Sequence, residues 1–283
     1  MQQSDPINAE GSKAMQQTTT TDRIEVANGP HLLVSRSTGH GLPVLFVNSI
    51  GADHTMWDAV RARLSRPNVA YDARGHGASD VTPGSVSVAD LAQDALEVMD
   101  AAGLNRVIVC GLSLGGLTAM QLAAIAPGRV VGLVLSNTAT DFPPASLWQD
   151  RAAKTRAGGW PDLIQPTLER WVTADWRDAN PEGTAQIIKM LKAMPPEGYA
   201  AACAALETGD TAEALAGWSG PTLLIAGAHD QSATVQRARD MKAIAPQAQL
   251  VVLETAHIAA MEDPVGFADA LETFAATIKS AHG

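Results

Sequence analysis

The sequence predicts an α/β protein, built on a mostly parallel, doubly wound sheet with a helical cap insertion. Short and continuously apolar segments, typical of strands buried on both faces, alternate with helical patterns along most of the chain. This alternation stops after Asn137 and resumes at Pro221. Residues 141–217 contain many alanines and several prolines but no pattern of a buried strand, so we predict a helical cap there.

The predicted strands are short and regularly spaced. Residues 23–27 and 31–35 are joined by Asn28-Gly29-Pro30, a strong turn signal, and predict an antiparallel hairpin. The segments that follow are mainly apolar, which predicts parallel strands joined by right-handed crossovers. These segments are residues 44–47, 68–71, 107–110, 130–135, 221–227 and 250–253.

Helices are predicted between these strands from capping residues and apolar spacing. Asp53 or Thr55 is placed to cap the first helix. Ser87 or Ser85 is placed to cap the second. Further helices are expected after residue 113, over residues 235–244, and as a closing helix to about residue 279.

The N-terminal segment differs from the rest of the chain. Residues 1–22 are polar and rich in glutamine and threonine, and they lack the apolar stretch of a secretory signal. We therefore expect a disordered leader there. The predicted core then comprises residues 23–140 and 218–283, on either side of the cap over residues 141–217.

Composition and charge exclude several classes of function. A chain of 283 residues with 46% hydrophobic content can bury one large core. The net charge of −10 argues against a nucleic-acid partner, and no apolar run approaches the roughly 18 residues of a membrane span. The two cysteines, Cys110 and Cys203, suit a reducing compartment, which favours a cytoplasmic protein. We expect a monomer or a small homo-oligomer.

One junction between a strand and a helix carries the pattern G-x-S-x-G, as Gly111-Leu112-Ser113-Leu114-Gly115. Turning from strand to helix within one residue forces the serine into a strained conformation. Glycine two residues before and after removes the Cβ atoms that would clash with neighbouring chain. The alternative is an ordinary tight turn, but the strand and the helix that the motif requires are both present. Ser113 is the predicted nucleophile.

An acid and a histidine follow later strands, so that the order along the chain is serine, acid, histidine. Asp230 and His257 come directly after the last two predicted strands, and the carboxyl ends of parallel strands gather reactive groups at one edge of a sheet. A histidine can accept the serine proton, and a buried carboxylate holds the imidazole in the right tautomer. We predict Ser113, Asp230 and His257 as the catalytic residues.

Other histidines and acids compete for these roles. His76 lies on a glycine-rich loop, where a structural role is expected, and His229 is expected to point away from the site. Asp141 follows the sixth strand and is the main alternative acid. Glu262 and Asp263 are expected in the first turn of the last helix, where negative charge is favoured.

Backbone N–H groups complete the predicted site. The N–H of Leu114 follows the nucleophile at the start of a helix, and the N–H of Ile50 lies in the loop after residues 44–47. Both are predicted to donate to an oxyanion in the transition state. The sequence shows no cluster of metal ligands and no phosphate-binding loop, so we predict no metal and no cofactor.

Four of the six tryptophans lie in the predicted cap, namely Trp148, Trp160, Trp171 and Trp176. One interpretation is that they form the small core of the cap itself. The other is an aromatic lid that excludes water from the serine and shapes a pocket, with Trp148 and Trp171 as candidate lining residues. The sequence leaves the two interpretations open.

Together the motifs resemble the α/β-hydrolase superfamily and, within it, the 3-oxoadipate enol-lactonases of aromatic-acid breakdown. The G-x-S-x-G turn and the Arg-Gly-His-Gly loop are shared across the superfamily. The Asn-Ser-Ile-Gly loop and the Pro-Pro-Glu-Gly-Tyr segment of the cap occur in a narrower group of its members. The resemblance extends over nearly all of residues 23–278. It is carried by residues 46–51, 56–58, 71–79, 110–116, 169–171, 195–199 and 225–230.

The resemblance implies an α/β-hydrolase fold and a small lactone or ester as substrate. Ser113 would attack the lactone carbonyl to form an acyl-enzyme, and His257 would protonate the departing enolate and then activate water. Recognition of the substrate carboxylate would need a cation near the pocket, and the candidates left open are Arg74, Arg151, Lys154 and Arg156. Arg74 can equally hold its own glycine-rich loop together.

The chain departs from the enol-lactonase pattern at the rim of the site. Leu114 stands where relatives often have methionine, residues 231–234 replace a proline-containing turn, and residues 258–261 replace a more polar run. Two alternatives therefore stay open. One is a broad-specificity carboxylesterase or perhydrolase of the same fold, and the other is a ligand-binding homologue with slow turnover.

Overall fold

The computed structural model describes residues 18–27 and 29–278. Its strands are β1 (Thr19–Glu25), β2 (His31–Ser37), β3 (Val44–Val47), β4 (Asn68–Tyr71), β5 (Val107–Leu112), β6 (Val130–Ser136), β7 (Thr222–Gly227) and β8 (Gln249–Leu253). They form one sheet in the order β1-β2-β4-β3-β5-β6-β7-β8. β2 pairs antiparallel with β1 and with β4, and every other neighbouring pair is parallel. The predicted α/β fold with a mostly parallel sheet is confirmed.

Helices connect the parallel strands. Those of the core are α1 (Asp58–Arg61), α2 (Val88–Ala101), α3 (Leu114–Ile125), α10 (Val235–Ile244), α11 (Ala259–Glu262) and α12 (Pro264–Thr277). Between β6 and β7, where the sequence places the cap, lie α4 (Ala145–Lys154), α5 (Trp160–Trp171), α6 (Ala174–Ala179), α7 (Pro181–Ala193), α8 (Pro196–Thr208) and α9 (Ala212–Ala216). A 3₁₀ turn precedes α1, and a π-helical turn joins α4 to α5. None of the described helices combines the length and the apolarity that crossing a membrane requires.

The central strands of the sheet form the core of the molecule. Every residue of β3, β4, β5 and β7 is buried, as their apolar sequences predict. Trp57 packs between Phe46 and Phe267, and its ring centroid lies 4.7 Å from that of Phe46 and 5.7 Å from that of Phe267. These contacts connect the turn before α1 to β3 and α12. Because β3, β5, β6, β7 and β8 are parallel, their carboxyl ends meet along one edge of the sheet.

The first strand begins earlier than the sequence predicts. Residues 19–22 pair with residues 34–37, so the boundary of the leader at residue 22 is wrong for these four residues. β1 is exposed along almost its whole length and therefore lacks the apolar pattern that marks a buried strand. Backbone pairing with β2 holds it instead. Residues 1–17, Asn28 of the predicted turn and residues 279–283 lie outside the described residues.

The N-terminus of α2 gives a first test of the fold. Ser87 accepts a hydrogen bond from the N–H of Asp90 (3.1 Å), and the carboxylate of Asp90 accepts one from the N–H of Ser87 (2.9 Å), which completes a capping box. Replacing Ser87 with alanine should lower the free energy of unfolding, measured in urea, by about 1 kcal/mol. Ser85→Ala, at the exposed alternative cap position, should change it by less than about 0.5 kcal/mol. Equal losses in the two variants would contradict the assignment of Ser87 as the cap.

Candidate active site

Ser113 lies at the tip of a strained turn between β5 and α3. Its φ of 58° and ψ of −117° fall outside the regions that residues with side chains ordinarily adopt. A Cβ atom on Gly111 would lie 2.0 Å from the carbonyl oxygen of Gly115, and one on Gly115 would lie 2.1 Å from that of Val47. The close approach of backbone on both sides therefore requires the two glycines of the motif.

Asp230 and His257 meet beyond the ends of β7 and β8. The Nδ1 atom of His257 lies 2.8 Å from Oδ2 of Asp230, and both side chains are buried. Oδ1 of Asp230 accepts hydrogen bonds from the N–H groups of Ser232 (2.8 Å) and Ala233 (3.0 Å). Burial alone would raise the pKa of Asp230, but His257 and these two N–H groups outweigh burial and hold that pKa below its usual value. Asp230 is therefore ionised at neutral pH.

Asn137 adds a contact that the sequence analysis does not include. It follows β6 directly, is buried and has a φ of 45°. Its Nδ2 atom donates to Oδ2 of Asp230 (3.1 Å) and to the carbonyl of Ala256 (3.0 Å), and so connects the acid to the loop that carries His257. A polar residue at the end of a buried strand, of a type that tolerates positive φ, is the signal that identifies such a position.

The competing histidines and Asp141 lie elsewhere. His229 is exposed, and its Nε2 atom lies 3.3 Å from the carboxylate of Glu254. His76 is buried, with Nδ1 3.1 Å from a carbonyl of its own loop. Asp141 forms an ion pair with Arg237. None of these three contacts His257 through a hydrogen bond or an ion pair among the described residues.

The acidic pair before the last helix is placed differently from the prediction. Asp263 caps α12 and accepts a hydrogen bond from the N–H of Gly266 (2.9 Å). Glu262 is the last residue of α11 and does not lie in the first turn of α12. The reason is that Pro264 starts a new helix and cannot continue the one before it. The expected position of Glu262 is therefore wrong.

The predicted oxyanion donors occupy suitable backbone positions. Leu114 is the first residue of α3, where a helix leaves the N–H without an intrahelical acceptor. The N–H of Ile50 donates no hydrogen bond to any other residue that the structure describes. Ile50 lines the same cavity as Ser113. Its loop is held in place by Asn48, whose Nδ2 atom donates to the carbonyl of Tyr71 (2.8 Å).

A cavity of about 330 Å³ lies between the cap and the carboxyl edge of the sheet. Ser113, His257 and Ile50 line it from the core, and Trp148 and Trp171 line it from the cap. Both apolar and polar side chains form its wall. The charged basic residues on that wall are Arg151, Arg170 and Arg237.

Two of the four cap tryptophans line the cavity, as an aromatic lid would, and the other two do not. Trp148 and Trp171 line the cavity. Trp160 is buried inside the cap, where its Nε1 atom donates to the carbonyl of Leu191 (2.9 Å). Trp176 is half-buried and packs against the hydrophobic core without reaching the cavity. The cap therefore has its own apolar interior and also contributes aromatic side chains to the cavity wall.

Arg151 and Arg170 present positive charge to the cavity, and neither forms an ion pair with a carboxylate of the described residues. Arg151 is 9% exposed, and its guanidinium donates to the hydroxyl groups of Tyr199 (2.8 Å) and Thr167 (3.3 Å). Burial, together with the nearby charge of Arg151, lowers the pKa of Arg170, although a guanidinium stays charged in proteins. Within the described part of the chain neither has a carboxylate within 4.0 Å, whereas Arg237 is in an ion pair.

The other candidate cations lie outside the cavity. Arg74 binds both carboxylate oxygens of Asp94, at 2.5 and 2.6 Å, and does not line the predicted substrate pocket. The glycine-rich loop turns back onto α2, where buried Asp94 holds the guanidinium. Lys154 and Arg156 form ion pairs at the surface of the cap. Of the four candidates from the sequence, Arg151 alone lines the cavity. The expectation that Arg74 could bind a substrate carboxylate in the pocket is therefore wrong.

One group of potential metal ligands, Asp53, His54 and Asp72, occurs among the described residues. Nδ1 of His54 lies 2.8 Å from Asp72, and Asp53 accepts from the N–H of Thr55 (2.9 Å) as a helix cap. Asp72 also accepts from the N–H of Ala78 (2.8 Å). These hydrogen bonds explain the group as part of the local loop structure, and we assign no metal to it.

The fold and the residues at the carboxyl edge of the sheet define a class of protein. The family model for the alpha/beta hydrolase fold matches residues 43–264, which is most of the chain. The chain therefore belongs to the α/β-hydrolase family.

Individual relatives show which members of this family the chain resembles. 3-Oxoadipate enol-lactonase 1 of Acinetobacter baylyi is 34% identical over 239 residues, which cover 84% of this chain and 88% of that protein. The solved enol-lactonase of Burkholderia xenovorans has a TM-score of 0.86 at 33% identity and covers 89% of this chain and 99% of its own. An esterase of Thermogutta terrifontis, solved with malate bound, has a TM-score of 0.85 at 28% identity and covers 92% and 100%. The predicted resemblance to enol-lactonases is confirmed.

Proposed function

We propose that the protein is a serine hydrolase that opens 3-oxoadipate enol-lactone, or a closely related anionic lactone, through an acyl-enzyme. The observation that carries this proposal is that one cavity is lined by Ser113 and His257 and also by Arg151 and Arg170, two arginines that form no ion pair with a carboxylate in the described part of the chain. The enol-lactonases among the relatives support the choice of substrate.

In the first half of the reaction Ser113 is the nucleophile and His257 is the general base. The Nδ1–H of His257 donates to ionised Asp230, which leaves Nε2 free to accept the serine proton. Oγ bonds to the lactone carbonyl carbon, and the N–H groups of Ile50 and Leu114 donate to the oxygen that becomes negative. When the ring C–O bond breaks, the proton on Nε2 passes to the departing enolate oxygen, and the resulting enol tautomerises to the ketone.

The second half of the reaction releases the acid. Nε2 of His257 accepts a proton from water, the water oxygen bonds to the acyl carbon, and the same two N–H groups stabilise the oxyanion. The bond between the acyl carbon and Oγ of Ser113 then breaks, and Oγ recovers its proton from His257. One water is consumed, and the product is an open-chain dicarboxylate.

The cap supplies the charge that an anionic lactone requires. Burying a charge without a counter-ion is costly, so a cavity that holds Arg151 and Arg170 favours a ligand with a carboxylate. Both guanidinium groups donate to the hydroxyl of Thr167, at 3.3 and 3.4 Å, which puts them near enough to each other to bind one carboxylate together. We expect the lactone ring at Ser113 and the carboxylate under the cap.

A broad-specificity carboxylesterase or perhydrolase is the second candidate. The esterase of Thermogutta terrifontis shares the fold over 92% of this chain. Gln231 and Ser232, which belong to the turn that departs from the enol-lactonase pattern, line the cavity. An enzyme of this kind would hydrolyse neutral esters as readily as anionic lactones.

Substrate preference separates the two candidates. We expect kcat/KM for 3-oxoadipate enol-lactone, followed by ultraviolet absorbance, to fall within about 10⁴–10⁸ M⁻¹s⁻¹ and to be far above the value for p-nitrophenyl acetate. Comparable values for the two substrates would favour the esterase. Turnover near background with both, together with a rise in Tm on adding the lactone, would indicate the ligand-binding homologue.

Replacing Arg151 with methionine should lower kcat/KM for the enol-lactone by roughly 10- to 100-fold, because a hydrogen bond to a charged group contributes about 1.5–3 kcal/mol. Methionine keeps an apolar contact with Trp148 and Tyr199, whose rings lie 5.7 Å from the guanidinium carbon. It removes the charge and the hydrogen bonds to Tyr199 and Thr167. The methyl ester of the same lactone has the same reactive ring without the charge, so its kcat/KM should change little.

Arg156→Met is the matched control for this prediction. It removes an arginine from the cap outside the cavity, where Arg156 pairs with Glu197, and should leave both kcat/KM values unchanged. Equal losses on the lactone and on its methyl ester in Arg151→Met would contradict a role for Arg151 in binding the carboxylate.

A further inference from the structure

Glu262 lies between the cap and the loop that carries His257, and its carboxylate bonds to both. Oε1 accepts hydrogen bonds from the N–H (3.0 Å) and from the hydroxyl of Thr173, which caps α6. Oε2 accepts a hydrogen bond from the N–H of Ala256 (2.7 Å), the residue before His257. The two oxygens of one side chain therefore join the backbone of the cap to the histidine loop.

A further hydrogen bond to the cap lies on the other side of His257. The N–H of Ile258 donates to the carbonyl of Trp171 (2.8 Å), two residues before Thr173 in the cap. The side chain of Trp171 lines the cavity. The N–H groups of the residues before and after His257 are therefore both bonded toward the cap, that of Ala256 through Glu262 and that of Ile258 directly.

Hydrogen bonds hold the carboxylate of Glu262 in this position. Among the described residues no cation lies within 4.0 Å of it, and it does not line the cavity. N–H and O–H groups that donate to an ionised carboxylate form strong and directional bonds. Three such bonds therefore fix the distance between the cap at Thr173 and the loop at Ala256.

We propose that Glu262 is a positioning residue, which aligns His257 by holding its loop against the cap. The catalytic consequence rests on the proposed serine mechanism, in which Nδ1 of His257 stays on Asp230 while Nε2 reaches Ser113. Misplacing a reacting group by about 1 Å can cost about 100-fold in rate. The base is therefore aligned only while the cap at Thr173 is docked on the core.

The test compares variants at Glu262 on whichever substrate the wild type hydrolyses. Glu262→Ala removes all three hydrogen bonds and should lower kcat by roughly 10- to 100-fold with little change in KM. Glu262→Gln keeps one acceptor oxygen and should fall between this variant and the wild type. The rate at which phenylmethylsulfonyl fluoride inactivates the enzyme should fall by the same factors, since that reaction needs an activated serine but no bound substrate.

Glu272→Ala is the matched control, because Glu272 also connects two segments. Its carboxylate accepts from the N–H of Ser65 (3.0 Å) and from Nε of Arg66 (2.7 Å), away from the cavity. Both alanine variants should lower Tm, but Glu272→Ala should keep the wild-type kcat and inactivation rate. Where Glu262→Ala does not fold, Glu262→Gln is compared with Glu272→Gln in the same way.

The possible outcomes distinguish a failure of this inference from a failure of the proposed function. If the Glu262 variants lose Tm while kcat and the inactivation rate stay within about twofold of the wild type, Glu262 only stabilises the fold and the inference is wrong. If the wild type neither hydrolyses esters and lactones nor reacts with phenylmethylsulfonyl fluoride, the serine mechanism itself fails, and this inference fails with it.

Discussion

Replacing Ser113 with alanine should lower kcat on the enol-lactone by at least about 10⁴-fold, because a nucleophile, base and acid act as a unit. Alanine removes Oγ, the atom that bonds to the substrate in the proposed first step. It keeps Cβ, so the turn at φ 58° should form as in the wild type. The measurement is the steady-state rate of the purified variant, with Tm as a check that the fold is intact.

Ser113→Cys provides the comparison that isolates the nucleophile. A thiol at the same position can still be acylated, so this variant should give a burst with p-nitrophenyl acetate even where its turnover is slow. Ser113→Ala should give no burst. If Ser113→Ala kept more than about a tenth of the wild-type kcat at an unchanged Tm, Ser113 would not be the nucleophile.

Replacing Asp230 with asparagine should lower kcat/KM by on the order of 10³–10⁴-fold. The amide oxygen can still accept the hydrogen bonds of Ser232 and Ala233. However, the neutral side chain no longer stabilises the imidazolium form of His257 or fixes its tautomer. The loss should therefore appear in the rate, with only a modest fall in Tm.

Asp141→Asn is the control for this prediction. Asp141 is the acid that competes with Asp230 in the sequence, and its carboxylate faces Arg237 instead of His257. The variant should keep nearly all of the wild-type activity. If Asp141→Asn lost activity while Asp230→Asn retained it, the acid would be Asp141.

The lowered pKa of Asp230 also sets how its contribution to stability depends on pH. A carboxyl group whose pKa is lower in the folded state than in the unfolded state stabilises the fold above its unfolded pKa, and this stabilisation is lost as the pH falls through the folded value. The stability that the wild type gains over Asp230→Asn should therefore persist down to about pH 5 and shrink below about pH 4. A difference that vanished near pH 6 would contradict an ionised Asp230.

The edge of the sheet that carries the site can be predicted from sequence because short segments determine it. Gly111 and Gly115 are needed wherever a chain turns so tightly that a Cβ atom would come within about 2 Å of a neighbouring carbonyl oxygen, and this need is visible as a motif. Asp230 and His257 follow apolar strands directly, so the parallel order of the sheet is enough to bring them together.

The contacts of the cap with the core and the charges of the cavity could not be predicted in the same way, because they depend on tertiary packing. Helical spacing places Arg151 and Arg74 on a helix and on a loop, but it does not show that Asp94 binds Arg74 while Arg151 faces the cavity. Arg170 stands out in the sequence only as part of the resemblance over residues 169–171. Glu262 bonds to Thr173, which is 89 residues away along the chain.

Covalent labelling of the nucleophile tests the central claim most directly. Phenylmethylsulfonyl fluoride should add one group per chain, on the peptide that contains Ser113, and hydrolysis of the enol-lactone and of p-nitrophenyl acetate should be lost in proportion to the labelling. The enol-lactone should slow the labelling, because the two compounds compete for one cavity. Complete labelling with hydrolysis retained, or inactivation with the group on another residue, would contradict Ser113 as the nucleophile of this α/β hydrolase.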